Sequence, residues 1–138
     1  DLLAPYLVSM GYTDVSNLAV DSLGMEQYSF QFRRVVKGSH EGGKSSNVPV
    51  DCLIQDRKKG QLPICLELKS IGDPTNANKR LNEQEQKATK LRRSHPGIRC
   101  YMLIGGHLNL GLIKRLVDNK RNWVWEHRIE DLAELLES

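Results

Sequence analysis

"PICLELKSIGDPTNANKR", residues Pro63 to Arg80, opens as an apolar run and then sets Glu67 and Lys69 two positions apart. Side chains alternate between the two faces of an extended strand. Glu67 and Lys69 therefore share one face with Cys65, and Leu66 and Leu68 share the other. A flank as apolar as "ICLEL" implies burial on both sides, and a buried carboxylate or ammonium needs a partner or a metal.

Working upstream, "VPVDCLIQD" (48–56) reads as a second strand and "RKKGQ" (57–61) as the turn that joins it to the first. A hairpin closing there brings Asp51, sixteen positions before Glu67, to its side. "QYSFQFRRVV" (27–36) alternates with Tyr28, Phe30 and Phe32 on one buried face, as a half-buried strand does. "KGSHEGGKSSN" (37–47), rich in glycine and serine, reads as a flexible loop. Three strands so close in sequence pair most simply as antiparallel hairpins. Ahead of them, Leu2, Leu3, Tyr6, Leu7 and Met10 fall at helical spacing, with Pro5 in the first turn and Gly11 as a stop. "TDVSNLAVDSLGM" (13–25) suggests a second short helix, capped by Thr13 or Ser16.

Downstream the period changes. Ala77, Leu81, Gln84, Ala88 and Leu91 form one stripe of a helix from Pro74 to Arg93, which "HPG" (95–97) ends. "IRCYMLIGG" (98–106) is an apolar and therefore central strand, entered through that helix and so expected parallel to its predecessor. "LNLGLIKRLVDN" (108–119) reads as a helix and "NWVWEH" (122–127) as a short strand, with Trp123 and Trp125 packing beneath the last helix. That helix, "RIEDLAELLES" (128–138), turns Ile129, Leu132, Leu135 and Leu136 inward. The sum is an α/β fold, a mixed sheet flanked by helices.

The bulk numbers agree with one domain. The chain has 138 residues, 39% hydrophobic, with a formal net charge of +3. It begins at Asp1, as a fragment of a longer chain would. No apolar run is long enough to span a bilayer, so a soluble protein is expected. Mild basicity permits a polyanionic partner without demanding one. Cys52, Cys65 and Cys100 lie in apolar strands and form no CxxC pair, which reads as buried free thiols. The histidines show no metal-ligand spacing.

Two carboxylates held at one point, Asp51 and Glu67, suit a hard divalent cation such as Mg²⁺. A lysine beside them, Lys69, can hold or deprotonate a water and face the charge of a phosphate. Such a set suits phosphodiester hydrolysis.

The pattern resembles the PD-(D/E)XK nuclease superfamily. "Pro49-Val50-Asp51" stands for its Pro-Asp element, with one residue inserted, and "Glu67-Leu68-Lys69" matches its E-x-K element in full. The order of elements from Tyr28 to Glu126 matches that family's core. "LELKSIGDPTNANKR", the following "KATKLR" and "NWVWEHRIEDL" further resemble type II restriction endonucleases of the XamI type. The resemblance implies a PD-(D/E)XK restriction-endonuclease-like core over one nuclease domain, 1–138. It implies a Mg²⁺-dependent endonuclease, with Mn²⁺ able to substitute, acting on double-stranded DNA as a homodimer in a bacterial cytoplasm. Asp51 and Glu67 would bind metal and Lys69 would act on the attacking water. Gln84, a polar residue inside an apolar stripe, matches a helix glutamine that many members place near the metal. An acid from the N-terminal region, among Asp14, Asp21 and Glu26, is expected to join them, with Glu26 favoured. Ser70, Asn76, Asn78, Lys79, Arg80 and Lys87 carry the hydroxyls, amides and cations that contact phosphates and base edges. Arg33, Arg34, Lys37 and Lys44 bracket the glycine-rich loop, which could enter a groove or be an ordinary hairpin. A repair or junction-resolving nuclease of the same fold, and a non-catalytic DNA-binding module, remain alternatives.

Overall fold

The alternating stretches on either side of Asp51 and Glu67 form strands, and the strands pair in chain order. The structure, a computed structural model, describes residues 2–18, 24–55, 62–71, 74–106 and 123–137; of these, the side chains of 70, 71, 74–78, 106, 125, 127 and 137 lie outside the described residues. The elements run α1 (Leu3–Ser9), β1 (Thr13–Asp14), β2 (Ser29–Ser39), β3 (Ser45–Gln55), β4 (Ile64–Ile71), α2 (Pro74–Ser94), β5 (Cys100–Gly106) and β6 (Trp123–Trp125). A 3-10 segment, Glu126–Asp131, then leads into α3 (Leu132–Glu137). The sheet has the order β1-β2-β3-β4-β5-β6. β2, β3 and β4 are antiparallel neighbours, while β1 with β2 and β4 with β5 and β6 are parallel. No described helix is long and apolar enough to cross a membrane.

Helix α1 ends as its sequence requires. Gly11 takes φ +93°, its amide donates to the Val8 carbonyl and the Tyr12 amide reaches back to Leu7. Those bonds satisfy the last carbonyls of the helix, and only glycine takes that φ without strain. Thr13 and Asp14 then extend to pair with Ser29 and Phe30 rather than opening a helix. The Asp14 carboxylate accepts the Ser16 amide at 2.9 Å, a local turn that competes with helix formation. The expected second helix is therefore absent from residues 13–18, and the rest of that stretch, 19–23, lies outside the described residues.

Two apolar layers sandwich the sheet. Leu3 and Leu7 of α1 and Leu132 and Leu136 of α3 pack on Phe30, Cys52, Ile54, Leu66, Leu103 and Val124. On the opposite side, Ala88 and Leu91 of α2 pack on Val36, Val48, Val50, Leu53, Cys65 and Cys100. Leu66 and Cys65 thus face opposite layers, as alternation demands. All three cysteines are free and buried, and Cys65 and Cys100 are register partners on parallel strands. It is Val124 that packs against the last helix; Trp123 belongs to neither cluster, and the Trp125 side chain lies outside the described residues. The hairpin is tighter than its composition suggests. β2 runs to Ser39 and β3 starts at Ser45, closed by the His40 amide on the Lys44 carbonyl at 2.8 Å. Tyr28 does not share the buried face of Phe30. It is 40% exposed with φ 55°, just before the strand, and its ring meets Tyr12 edge-on. The stretches 57–61 and 108–119, read as a turn and a helix, lie outside the described residues.

One irregularity sets the shape of the sheet. In β2, Phe30 belongs to the α1/α3 layer and Val36 to the α2 layer, although both have even numbers. In β3 the same slip separates Val50 from Cys52. Both slips fall at one register position, because the β2–β3 ladder pairs Phe32 with Cys52 and Arg34 with Val50 but skips Arg33 and Asp51. Arg33 there takes φ 55°. For a residue with a Cβ this left-handed conformation costs about 1–2 kcal/mol. The slip lets the outer half of the hairpin bury its valines under α2.

That packing is close. A Cβ on Gly38 would lie 2.8 Å from Val48 Cγ2 and 3.0 Å from the Lys90 carbonyl oxygen of α2. Gly38→Ala is expected to lower unfolding stability by about 1–3 kcal/mol, as overpacking does. Urea denaturation checks this, and an unchanged midpoint would mean that α2 is free to move off the hairpin.

Candidate active site

The pairing of β3 with β4 ends at Cys52 and Leu66. One further step would set Asp51 opposite Glu67. Instead the strands fork there: β3 stays paired with β2, and β4 with β5. The Asp51 carboxylate fills the fork, accepting the Leu68 amide on Oδ2 at 2.8 Å. A side chain thus replaces the lost ladder bond, as a backbone N–H away from water requires. Asp51 and Glu67, distant in sequence, are in side-chain hydrogen-bond contact.

Their electrostatics follow. Glu67 is only 3% exposed. Burial, then the hydrogen bond with Asp51 and its negative charge, raise the Glu67 carboxyl to about 7, against the pull of Lys87 and Lys69. Asp51 moves the other way. Burial disfavours its charge, but the hydrogen bond from Glu67, the Leu68 amide, and Lys87 and Lys69 together hold its carboxyl below its ordinary value. Two carboxyls this close do not both ionise readily, so below about pH 7 Glu67 keeps its proton and donates a hydrogen bond to Asp51.

Helix α2 covers the pair. Leu81, Gln84, Ala88 and Leu91 are buried, as their spacing predicts; the Ala77 side chain lies outside the described residues. Lys87, half-buried, turns toward the sheet and sets Nζ 3.4 Å from Glu67 Oε1. The sequence groups it with Lys79 and Arg80, both exposed, as a DNA contact; the structure brings Lys87 to the carboxylates. Nothing in the helical spacing separates Lys87 from its neighbours, and only the position of Glu67 does. Lys69 is half-buried, and its charge is felt by both Asp51 and Glu67. The Gln84 carbonyl Oε1 is buried and has no hydrogen-bond partner among the described residues. The side chains of Ser70, Asn76 and Asn78 lie outside the described residues.

A cleft of about 600 Å³ opens at Asp51, walled also by Asp14, Ser16, Phe32, Arg33 and Arg34. Of the three N-terminal acids, it is Asp14 that lines this cleft. Glu26 is exposed and is not among its walls, and Asp21 lies outside the described residues. The pairing of β1 with β2 carries Asp14 there, a long-range contact with no local sequence signal.

The two groups in contact, Asp51 and Glu67, offer carboxyl oxygens only, and the covering helix carries the orphaned Gln84 carbonyl. That chemistry fits a hard divalent cation. Among the described residues no group of three or more His, Cys, Asp or Glu could hold a metal. A cation here would therefore complete its shell with neutral oxygens or water.

Over residues 1–125 the chain matches the XamI restriction endonuclease family. The chain belongs to that family. It is also similar to the type II restriction enzyme SalI of Streptomyces albus G, 37% identical over 136 residues. That match covers 95% of this chain and 42% of SalI, so the chain spans about two fifths of its relative's length. No solved structure matches the chain. Family membership extends across the α/β sheet and both strands of the Asp51–Glu67 fork.

The raised Glu67 carboxyl makes folding depend on pH. Unfolded, it ionises near 4.5; folded, near 7. Its contribution to stability is complete below the unfolded value and is lost as pH rises through the folded one, about 3 kcal/mol in all. Asp51 acts oppositely, and its contribution is lost only as pH falls below its ordinary range. Glu67→Gln keeps a donor for Asp51 and removes the titration. The variant should therefore gain in melting temperature over wild type between pH 5 and pH 8, read by calorimetry at each pH. A constant difference across that range would show that Glu67 titrates normally.

Proposed function

We propose that this chain is the catalytic domain of a type II restriction enzyme, a divalent-metal-dependent DNA endonuclease on a PD-(D/E)XK core. The observation that carries the reading is the contact of Asp51 with the buried Glu67 at the fork, with Lys69 and Lys87 beside them. A structural ion pair does not need a buried carboxyl held at about 7. Membership in a restriction endonuclease family and the likeness to SalI support the same reading.

In this reading Asp51 and Glu67 would hold Mg²⁺, for which Mn²⁺ can substitute, and the orphaned Gln84 carbonyl on α2 would supply a neutral oxygen. When bound, the ion supplies positive charge to the phosphoryl oxygen and eases formation of hydroxide from water. Glu67 would hold the ion as a carboxylate, its proton having passed to solvent water. Lys69, on the Glu67 face of β4, orients the attacking water and complements the negative charge that grows on the phosphoryl group. Lys87 holds the Glu67 carboxylate in place through its 3.4 Å ion pair. Lys79 and Arg80, exposed at the start of α2, meet the phosphate backbone together with Ser70, Asn76 and Asn78. Cutting both strands takes two such sites, which two copies of the chain on one duplex provide. The enzyme would act in the cytoplasm of a bacterium; the Streptomyces relative supports the bacterial origin.

Plasmid cleavage tests the reading. The chain should cut supercoiled DNA with Mg²⁺ and stop with chelator. Lys69→Ala and Asp51→Asn, which keeps an acceptor for the Leu68 amide, should each slow cutting by about 10²-fold or more while remaining folded. Cleavage that persists in both variants, or a folded chain that binds duplex DNA yet cuts it with no divalent metal, would contradict the proposal.

A further inference from the structure

The cleft at Asp51 contains a cation with no side-chain partner among the described residues. Arg34 is committed to structure: its Nε donates to Gln31 Oε1 at 2.6 Å and its Nη2 to the Ser16 carbonyl at 2.6 Å. It ties the turn after β1 to the middle of β2. Arg33 is different. It is exposed, lines the same cleft, and its side chain makes no hydrogen bond or ion pair among the described residues. It occupies the register position opposite Asp51, where the ladder is interrupted.

The backbone at Arg33 has φ 55°. The slip of the sheet requires that conformation but not that residue. Glycine or asparagine adopts it more readily than arginine. Packing does not call for a guanidinium there either, since the side chain lies in solvent. What does call for one is the charge of the cleft. Asp14 and Asp51 both line it, and a polyanion approaching Asp51 meets their repulsion. A planar cation placed across from Asp51 offsets that repulsion at the point of approach and presents a fork of donors matched to phosphate oxygens.

We propose that Arg33 is a DNA-phosphate contact that seats the strand to be cut in the Asp51 cleft. Its guanidinium pairs with a backbone phosphate beside the one that Asp51 and Glu67 address. The inference rests on the endonuclease reading above and adds to it a binding residue outside the Asp51–Glu67–Lys69 set. The contact is to backbone and carries no sequence information, so it operates on any duplex.

The test uses the 138-residue chain, a fluorescein-labelled mixed-sequence duplex and chelator, which prevents cutting. Kd is measured by anisotropy between about 50 and 200 mM salt for wild type, Arg33→Gly, Arg33→Gln and Arg33→Lys. Arg128→Ala, which removes an exposed arginine paired with Asp131, is the charge control. Arg33→Gly and Arg33→Gln should bind about tenfold more weakly, and the slope of log Kd against log salt should shrink by about one. Arg33→Lys should keep the slope, and Arg128→Ala should match wild type. The melting temperature of Arg33→Gly should be no lower than that of wild type, because glycine accepts the φ. Were it lower, Arg33→Gln, with the same backbone demand, still decides the matter. Wild-type affinity and slope in both the Gly and Gln variants would overturn the proposal while leaving the endonuclease reading intact. Wild type that binds no duplex at all would overturn that reading, and this inference with it.

Discussion

The bond from the Leu68 amide to the Asp51 carboxylate holds the functional half of the molecule together. β3 and β4 pair as far as Cys52 and Leu66 and then diverge. A diverging strand leaves backbone donors unpaired, and a buried unpaired donor is expensive. Asp51 removes that penalty with its side chain at 2.8 Å, and in doing so delivers its carboxylate to Glu67. Sheet completion and assembly of the site are thus one event. Apolar packing on both faces of β4, with Leu66 in one layer and Cys65 in the other, prevents the strand from sliding to relieve the crowding of charge.

The site is held at the expense of stability. A carboxyl buried beside another is a poor arrangement for a resting fold, and an Asn or Gln in place of either would satisfy the same hydrogen bonds without the charge. Lys87 offsets part of the repulsion, since a cation at 3.4 Å stabilises negative charge on Glu67. The left-handed Arg33 stands one register step from the fork, and there too a cheaper residue would suit the backbone. Local rules broken together at one place in a sheet are the usual mark of a functional site.

Much of this was legible in the sequence. Alternation named β2, β3 and β4, and the helical stripe from Leu81 to Leu91 named α2. The placement of Asp51 beside Glu67 followed from hairpin geometry alone, and a parallel β5 from the intervening helix. The failures come from contacts and backbone turns that the periodicity does not encode. Thr13 and Asp14 form a strand because β2 offers an edge, not because of their own propensity. Tyr28 alternates with Phe30 on paper but precedes the strand with φ 55°. The β2–β3 loop looked flexible from its glycines and serines, yet most of it pairs in the ladder. The face switch at Arg33 and Asp51 left no trace in the pattern, because the residues on both sides of it are apolar at even positions. Lys87 and Asp14 reach the site only through the packing of α2 and the pairing of β1.

The central claim is that the fork makes one cation site from Asp51 and Glu67. Electron paramagnetic resonance of Mn²⁺ titrated into the DNA-free chain measures this without reference to cleavage. The account predicts one site per chain, lost in Asp51→Asn and in Glu67→Gln while both variants stay folded. Mn²⁺ bound equally well by wild type and both variants would contradict it, and would make the carboxyl pair a feature of the fold alone.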